Sequence, residues 1–357
     1  MSGRFLSHDY IATIRARVAT GEEPVAEAHR ALIAAANAAL NQERLSIRDV
    51  GGSPHFRQDG VYVDGQDGVR DPGANMEASH LAHSLSRATT DLALAWRFTG
   101  ETRYADKALD LIHFWCIDRG SYMFPDGRVD DPASPGGKYG GDVVLFHCTW
   151  DLFLACYLLL DYPGWGLQPR AAIKRWIGAM VDRQRPLMFW GGQAMYNNWE
   201  DARLLYLAQG ALALDDLDLL ARVFDRWGQT LPLKMTDEGE LHRETMRTRS
   251  MSYTLFALHS TLRIAEIARQ HGVDLYDLCV NGRTIRTAVD YAAGYLLDID
   301  TWPHEMIHPA DEDVRDSPRL GAFELAFGQW GDERYLQAME TWTQRPIAAG
   351  HATLLYG

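Results

Sequence analysis

Four cationic or potentially cationic side chains lie within eight positions of the sequence, shortly before a tyrosine: His242, Arg243, Arg247 and Arg249 precede Tyr253. A phenol has a pKa of about 10 and is a poor base at neutral pH unless neighbouring charges favour its ionised form. Guanidinium groups supply such charge, and their planar fork of donors also binds carboxylates. The cluster therefore predicts general acid–base chemistry by the tyrosine on a substrate that carries a carboxylate. A salt-bridged loop beside a core tyrosine is the alternative that the same residues allow.

The helix that follows the cluster is predicted to place Tyr253 in its first turn. Ser250 or Ser252 suits the N-cap position, and apolar residues recur at helical spacing over 255–264. The positive end of the helix dipole lies at this end of a helix, where it favours a developing phenolate.

Two adjacent asparagines form the second candidate site. Asn197 and Asn198 follow a Gly-Gly turn at 191–192 and precede Trp199, at the start of an apolar helix. Side-chain amides are neutral donors that can hydrogen-bond a carboxylate while it gains charge. Trp199 is a candidate substrate-binding residue. Ordinary helix capping is the alternative role for the asparagines.

The sequence predicts no metal and no cofactor. His80 and His83 are three apart on a predicted helix, but no third ligand accompanies them, so we interpret His80 as a substrate-binding residue that lines a cleft. The acidic loop 126–131 lacks the ligand spacing of an EF-hand. No P-loop, dinucleotide fingerprint or HExxH motif occurs.

The acidic composition limits the partners. The 357 residues contain 35 Lys and Arg against 48 Asp and Glu, which gives a formal net charge of −13. Nucleic acids and anionic membranes require a basic surface, so we expect neither as a partner, whereas a local arginine cluster still permits an anionic substrate. The N-terminus has no apolar signal segment, which predicts a cytoplasmic protein as given, or a periplasmic or secreted one if an export signal was removed.

The dominant hydrophobic period is helical, with almost no strand pattern. Predicted helices cover 11–18, 25–40, 76–98, 104–116, 143–160, 170–183, 199–214, 216–228, 251–271, 284–298, 318–328 and 332–343. About six to seven helical hairpins joined by short turns predict an all-α fold, a single-domain α/α toroid (an incomplete barrel) over residues 1–357. The segments 51–75, 119–142 and 230–249 are rich in Gly, Pro and Asp, and they are predicted to be functional loops.

Four segments of the chain resemble the alginate lyase superfamily of polysaccharide lyases, namely 81–118, YNNWEDARLLYLAQGALALDD (196–216), ETMRTRSMSYTLFALHSTLRIAEIARQHGVDLYD (244–277) and RLGAFELAFGQWGDERY (319–335). The resemblance implies an α/α toroid whose catalytic tyrosine is Tyr253, with Arg247 and Asn197 binding and neutralising the substrate carboxylate. Typical alginate lyases have a histidine where this chain has Asn198. The chain is similar at least as closely to lyases of β-1,4-glucuronan, also called cellouronate.

The reaction that this resemblance implies is β-elimination on an anionic polysaccharide or oligouronate. The C6 carboxylate of a uronate must be neutralised, by Arg247 with Asn197 and Asn198, before the C5 proton can be removed. In β-linked mannuronate or glucuronate the C5 proton and the O4 leaving group lie on the same side. One tyrosine can then serve as base and acid, whereas guluronate requires a second group. Histidines at 80, 83 or 242 are candidates for that second role.

Two other functions remain open at the level of sequence. An inverting glycoside hydrolase on the same toroid would use a pair of carboxylates, with Glu200, Asp201 and Glu244 as the candidates. A carbohydrate-binding protein with an inactive site would bind without turnover, and replacing Tyr253 by Phe would change nothing.

Overall fold

The computed structural model describes residues 4–48, 67–69, 76–123, 150–189, 196–347 and 351–357. These residues form no β-strand, only the isolated bridges Arg249–Met306 and Val280–Arg283. Their α-helices are α1 His8–Ala19, α2 Val25–Ala39, α3 Glu77–Thr99, α4 Thr102–Cys116, α5 Trp150–Leu158, α6 Leu167–Phe189, α7 Asn198–Leu214, α8 Leu217–Lys234, α9 His242–Thr245, α10 Ser250–Gln270, α11 Ile285–Leu297, α12 Ala310–Asp313, α13 Gly321–Trp330, α14 Glu333–Glu340 and α15 Ala352–Tyr356. The predicted all-α fold class is confirmed.

The helices differ from the prediction mainly in their ends. Helix α8 continues six residues past the predicted end at 228, through Pro232, to Lys234. The predicted loop 230–249 is therefore wrong in part, because it begins as helix and contains the short helix α9. The prediction failed because neither Pro232 nor a one-turn helix gives a periodic signal. Three parts of the prediction lie outside the described residues. They are the loop 51–75, apart from residues 67–69, the loop residues 124–142, and residues 143–149 of a predicted helix.

The chain divides into two compact units. Unit 1 comprises Met1–Ala31, Trp190–Ala208 and Asp218–Gly357, and unit 2 comprises Leu32–Phe189 and Gln209–Leu217. The prediction of a single domain over 1–357 stays a prediction.

Unit 1 is built around α10, which is buried on nearly every face. Its apolar side chains, Leu255, Leu258 and Leu262 among them, are fully buried, and each contributes about 1.5–3 kcal/mol relative to exposure. Helix α10 packs against α11 and α13, and α13 packs against α14 and α15. The indole Nε1 of Trp227 on α8 donates to the carbonyl of Thr261 at 3.2 Å, which ties α8 to the same helix. These contacts hold the body of α10 within unit 1.

Unit 2 has α3 at its centre, packed against α4 and α5. The middle of α3, from Ala88 to Ala95, is buried all round, as expected of an inner helix. Trp115 and Phe153 fill its core, and the indole of Trp176 donates to the carbonyl of Met123 at 2.8 Å. Across the described residues, no helix has both the length and the hydropathy needed to cross a membrane.

The turn before α9 depends on a glycine. Gly239 has φ +96°, and a Cβ at this position would lie 2.2 Å from the carbonyl oxygen of Thr287. Only glycine combines this left-handed conformation with so close an approach. The turn closes with the amide of Thr236 donating to the carbonyl of Glu240 at 2.9 Å, and it delivers the chain into α9 and the arginine cluster.

Candidate active site

Tyr253 lies in the first turn of α10, half-buried, with its backbone amide donating to the carbonyl of Arg249 at 3.0 Å. The predicted serine cap is wrong, because Arg249 occupies the N-cap position and makes no side-chain capping bond. The hydroxyl of Ser250 instead donates to the carbonyl of Glu305 at 2.6 Å and accepts from the indole of Trp302 at 2.8 Å. The segment that follows α11 therefore fixes the start of α10.

Arg247 stacks on the tyrosine. Its Cζ atom lies 3.6 Å from the centroid of the Tyr253 ring. At this distance the guanidinium covers the face of the ring, a cation–π contact that also favours negative charge on the phenol oxygen. A guanidinium that stacks on a ring through its face still has a planar fork of N–H donors of the kind that matches a carboxylate. The predicted pair of Arg247 and Tyr253 is therefore in direct contact.

Arg249, predicted to bind substrate, is held by a carboxylate of the protein. Its Nε lies 3.1 and 3.0 Å from the two carboxylate oxygens of Asp313, and its Nη2 also contacts Asp313. The hydrogen bonds that Arg249 donates to Asp313 raise the pKa of Arg249, and the Asp313 side chain is only 2 % exposed. The charge of Arg249 is thus balanced inside the protein, and its geometry is that of an anchor between α10 and α12.

Arg319 is a cation that the sequence analysis did not select. Its Nη1 donates to the carbonyl of Ser252 at 3.0 Å and to the Ser252 hydroxyl at 2.9 Å, and its Cζ lies 4.5 Å from the centroid of the Phe256 ring. Burial, and then the charge of Arg249, lower the pKa of Arg319 to about 10, while Tyr253 opposes this. Within the described residues Arg319 has no carboxylate within ion-pair distance. A second guanidinium therefore faces the first turn of α10 beside Tyr253.

The asparagine pair begins α7. The side-chain oxygen of Asn197 accepts the backbone amide of Trp199 at 3.1 Å, so Asn197 caps the helix, as the alternative interpretation predicted. Among the described residues, the Asn197 side-chain nitrogen Nδ2 has no hydrogen-bond partner, so its donors remain available to a ligand. The capping role and the ligand-binding role are therefore compatible, because they use different atoms.

Asn198 is buried and faces Glu244. Its backbone nitrogen lies 2.6 Å from Oε1 of Glu244, and its Nδ2 lies 2.7 Å from Oε2. Burial, and then the charge of Asp201, raise the pKa of Glu244 to about 8, while the Asn198 amide and Arg247 lower it. The contacts of Glu244 with Asn198 and its charge interaction with Arg247 connect the asparagine turn to the arginine cluster.

The carboxylates considered for a hydrolase are engaged in internal contacts. Glu200 accepts from Arg203 and from Arg226, each at 2.9 Å, and is fully buried. Asp201 is bonded to Lys234, and burial raises its pKa. An inverting hydrolase requires two carboxyl groups that are accessible to substrate and leave room for a water between them. Glu200 and Asp201 are instead buried in ion pairs. The hydrolase alternative therefore has no support from these residues.

The other predicted substrate-binding residues differ in how far they are exposed to solvent. His242 is half-buried on α9, and burial followed by the charge of Arg243 lowers its pKa. Arg243 is exposed, and Trp199 is half-buried on α7. His80 is exposed on α3 in unit 2. The described residues contain no group of three or more His, Cys, Asp or Glu side chains that could hold a metal ion.

The comparisons with known proteins agree with this fold. Residues 19–302 match the family model described as alginate lyase. The fold and this match define a polysaccharide lyase. The chain belongs to the alginate lyase family, as the resemblance predicted.

Solved structures give the same fold at low sequence identity. An alginate lyase from Bacteroides ovatus is 21 % identical, with a TM-score of 0.80, over 100 % of this chain and 99 % of that chain. Alginate lyase A1-III from Sphingomonas species A1 is 18 % identical, with a TM-score of 0.68, over 97 % and 94 %. A histidine-to-alanine variant of A1-III, complexed with a tetrasaccharide, has a TM-score of 0.69 at 18 % identity over the same shares. These likenesses support the predicted α/α toroid. No curated protein sequence gave a significant match.

Proposed function

We propose that the protein cleaves a β-1,4-linked polyuronate, either glucuronan (cellouronate) or mannuronate-type alginate, by β-elimination at Tyr253. The stacking of Arg247 on the Tyr253 ring at 3.6 Å is the observation that carries the proposal. A guanidinium, a group whose planar fork suits a carboxylate, lies against a phenol that is half-buried, and this supports the proposal. The alginate lyase complexes with a tetrasaccharide support an oligosaccharide as the kind of ligand.

Arg247 and Asn197 neutralise the substrate carboxylate in the proposed reaction. The planar fork of Arg247 pairs with the C6 carboxylate, and the Asn197 Nδ2 donors hydrogen-bond it as the enolate-like charge develops. The sequence also assigned Asn198 to this role, but one N–H donor of its amide is bound to Glu244. Hydrogen bonds that are stronger in the transition state than in the bound substrate lower the barrier to removing the C5 proton.

Tyr253 is the proposed base and acid. Its phenolate oxygen takes the C5 proton, the C4–O4 bond breaks, and the electron pair left at C5 forms the C4–C5 double bond. The phenol then gives its proton to the departing O4, which restores the phenolate. The cations Arg247 and Arg319 beside the ring favour the ionised form that starts the cycle.

The substrate class follows from the number of acid–base groups. Position 198 has an amide bonded to Glu244, and an amide neither takes nor gives a proton at neutral pH. One tyrosine acting alone favours a substrate whose C5 proton and O4 lie on the same side, as in β-linked mannuronate or glucuronate. His242, Arg243, Arg249, Trp199 and His80 stay proposed substrate-binding residues.

The deciding experiment is an ultraviolet assay for the unsaturated product. The protein is incubated in parallel with glucuronan, polymannuronate and polyguluronate, and Tyr253→Phe is compared with Tyr295→Phe, a tyrosine on α11 whose ring packs on Trp302. We expect absorbance to rise on glucuronan or polymannuronate, and the rise to be lost only in Tyr253→Phe. New reducing ends without absorbance would indicate a hydrolase, and binding without turnover an inactive protein.

A further inference from the structure

A buried carboxyl group lies in the candidate site without a role in the proposed proton transfers. Glu244 is 2 % exposed, and both of its oxygens accept hydrogen bonds from Asn198, which is also 2 % exposed. One bond comes from the backbone amide of Asn198 at 2.6 Å and the other from its side-chain Nδ2 at 2.7 Å. A residue held at both its backbone and its side chain cannot rotate away from its partner.

The two residues join segments that are 46 positions apart in the sequence. Asn198 is the first residue of α7 and follows Asn197, and Glu244 lies on α9, three positions before Arg247. The charged groups that act on Glu244 are Asp201 and Lys234, which are bonded to each other, and Arg247. The contact therefore lies between the turn of Asn197 and the chain that leads to Arg247.

We propose that Glu244 is a positioning residue that clamps Asn198, and with it the turn of Asn197, against the helix that leads to Arg247. The inference rests on the proposed function, in which Asn197 and Arg247 neutralise one substrate carboxylate. In this proposal Asn198 bonds to Glu244 and not to the substrate, and its amide holds the neighbouring Asn197 in position. Donors that must meet a carboxylate together need a fixed separation, and a loosened support of this kind lowers turnover.

A reciprocal exchange of the two side chains tests the clamp. In Asn198→Asp two carboxyl groups face each other, so we expect kcat to fall about 100-fold at pH of about 8, with partial recovery at lower pH, where the pair shares a proton. In Asn198→Asp/Glu244→Gln the backbone amide at 198 still donates to the Gln oxygen, and the Gln amide donates to the new carboxylate. Both bonds are kept, the side-chain bond with donor and acceptor exchanged, and we expect kcat within about fivefold of the parent, without that pH dependence.

Glu240→Gln is the matched control. The Glu240 side chain accepts from the hydroxyl of Thr245 and so holds the same short helix, without touching Asn198. We expect its kcat to stay close to that of the parent. A double variant no more active than Asn198→Asp would overturn the proposal, since it would mean that the Asn198 amide itself meets the substrate. A loss in Glu240→Gln equal to that in Asn198→Asp would also overturn it, by assigning the effect to general disturbance of α9.

Thermal unfolding separates the clamp from the proposed reaction. If the parent is inactive on all three polymers, the proposed function fails, but the midpoints of unfolding still test the contact. We expect Asn198→Asp to lower the midpoint or to prevent folding, and the double variant to restore it. A double variant that unfolds at the same temperature as Asn198→Asp, or that does not fold, overturns the clamp.

Discussion

The guanidinium of Arg247 covers the ring of Tyr253, with Cζ 3.6 Å from the ring centroid. The contact joins the proposed base to the guanidinium that is proposed to bind the substrate carboxylate. It also distinguishes Arg247 from Arg249, whose charge is balanced by Asp313, although only two positions separate them. The cluster in the sequence thus contains one arginine that stacks on Tyr253 and one that is paired with a buried carboxylate.

Arg247→Met is expected to lower kcat by about 100- to 1,000-fold, because the enolate-like carboxylate loses its principal cation. Arg247→Lys keeps the charge but loses the planar fork and the stacking, so its loss should be intermediate. Steady-state kinetics on the polymer that the parent cleaves measures both. Arg243→Met is the comparison. Arg243 is a proposed substrate-binding residue that is exposed on the preceding helix, so its replacement should raise KM and leave kcat within about threefold of the parent. Equal losses at both positions would mean that only the general positive field matters.

Arg249→Met is expected to destabilise the protein by about 3 kcal/mol, because it leaves the buried carboxylate of Asp313 without its partner. Arg249→Met/Asp313→Asn removes both charges and should recover part of that loss. Urea unfolding of the parent and the variants gives the free energies of unfolding. A double variant less stable than Arg249→Met would contradict the assignment of Arg249 as an anchor.

Arg319→Met is expected to raise the pKa of Tyr253, because the loss of a nearby cation disfavours the phenolate. The charged groups near Tyr253 in the described part of the chain include Arg247, Arg249 with its partner Asp313, and Arg319. Ultraviolet absorbance of tyrosinate is titrated in the parent and in Arg319→Met, each with and without Tyr253→Phe. The difference within each pair gives the pKa of Tyr253 in the absence of substrate. Activity should require a correspondingly higher pH. Arg315→Met is the control, because Arg315 pairs with the exposed Asp311 and should leave the titration unchanged.

Glu244→Gln is expected to flatten the pH dependence of stability. Burial raises the pKa of Glu244 to about 8 in the folded protein, above its unfolded value. Between these two values the unfolded state releases the proton that the folded state keeps, so the stabilisation is complete below the unfolded pKa and is lost as pH rises through about 8. The slope is at most about 1.4 kcal/mol for each pH unit. Urea unfolding between pH values of about 6 and 9 measures it, and equal slopes in parent and variant would contradict the raised pKa.

The sequence predicted the parts of the site that are local in the chain. Tyr253, Arg247 and the arginine cluster fall within a dozen positions, and helical periodicity was enough to place the tyrosine in a first turn. The fold class followed from the same periodicity together with the resemblance. Most of the helices begin and end within a few residues of their predicted bounds.

The sequence did not predict how distant segments pair. Glu244 was selected only as a possible hydrolase carboxylate, because its contact with Asn198 spans 46 positions. Asp313 and Arg319 meet α10 across separations of 64 and 67 positions, and neither lies in a chemical motif. Such pairings depend on how the helices pack, which one sequence does not reveal.

Three residues at the start of α10 are bound from further along the chain: Arg249 by Asp313, Ser250 by Glu305, and Ser252 by Arg319. A shortened chain that stopped after α11 would lose Arg319 but keep Tyr253, Arg247 and Asn197, the residues proposed to act on the substrate. It would nevertheless lose all three of these attachments, and the first turn of α10 would fray as unsupported helix ends do. The shortest fragment that still positions Tyr253 must therefore extend at least through Arg319.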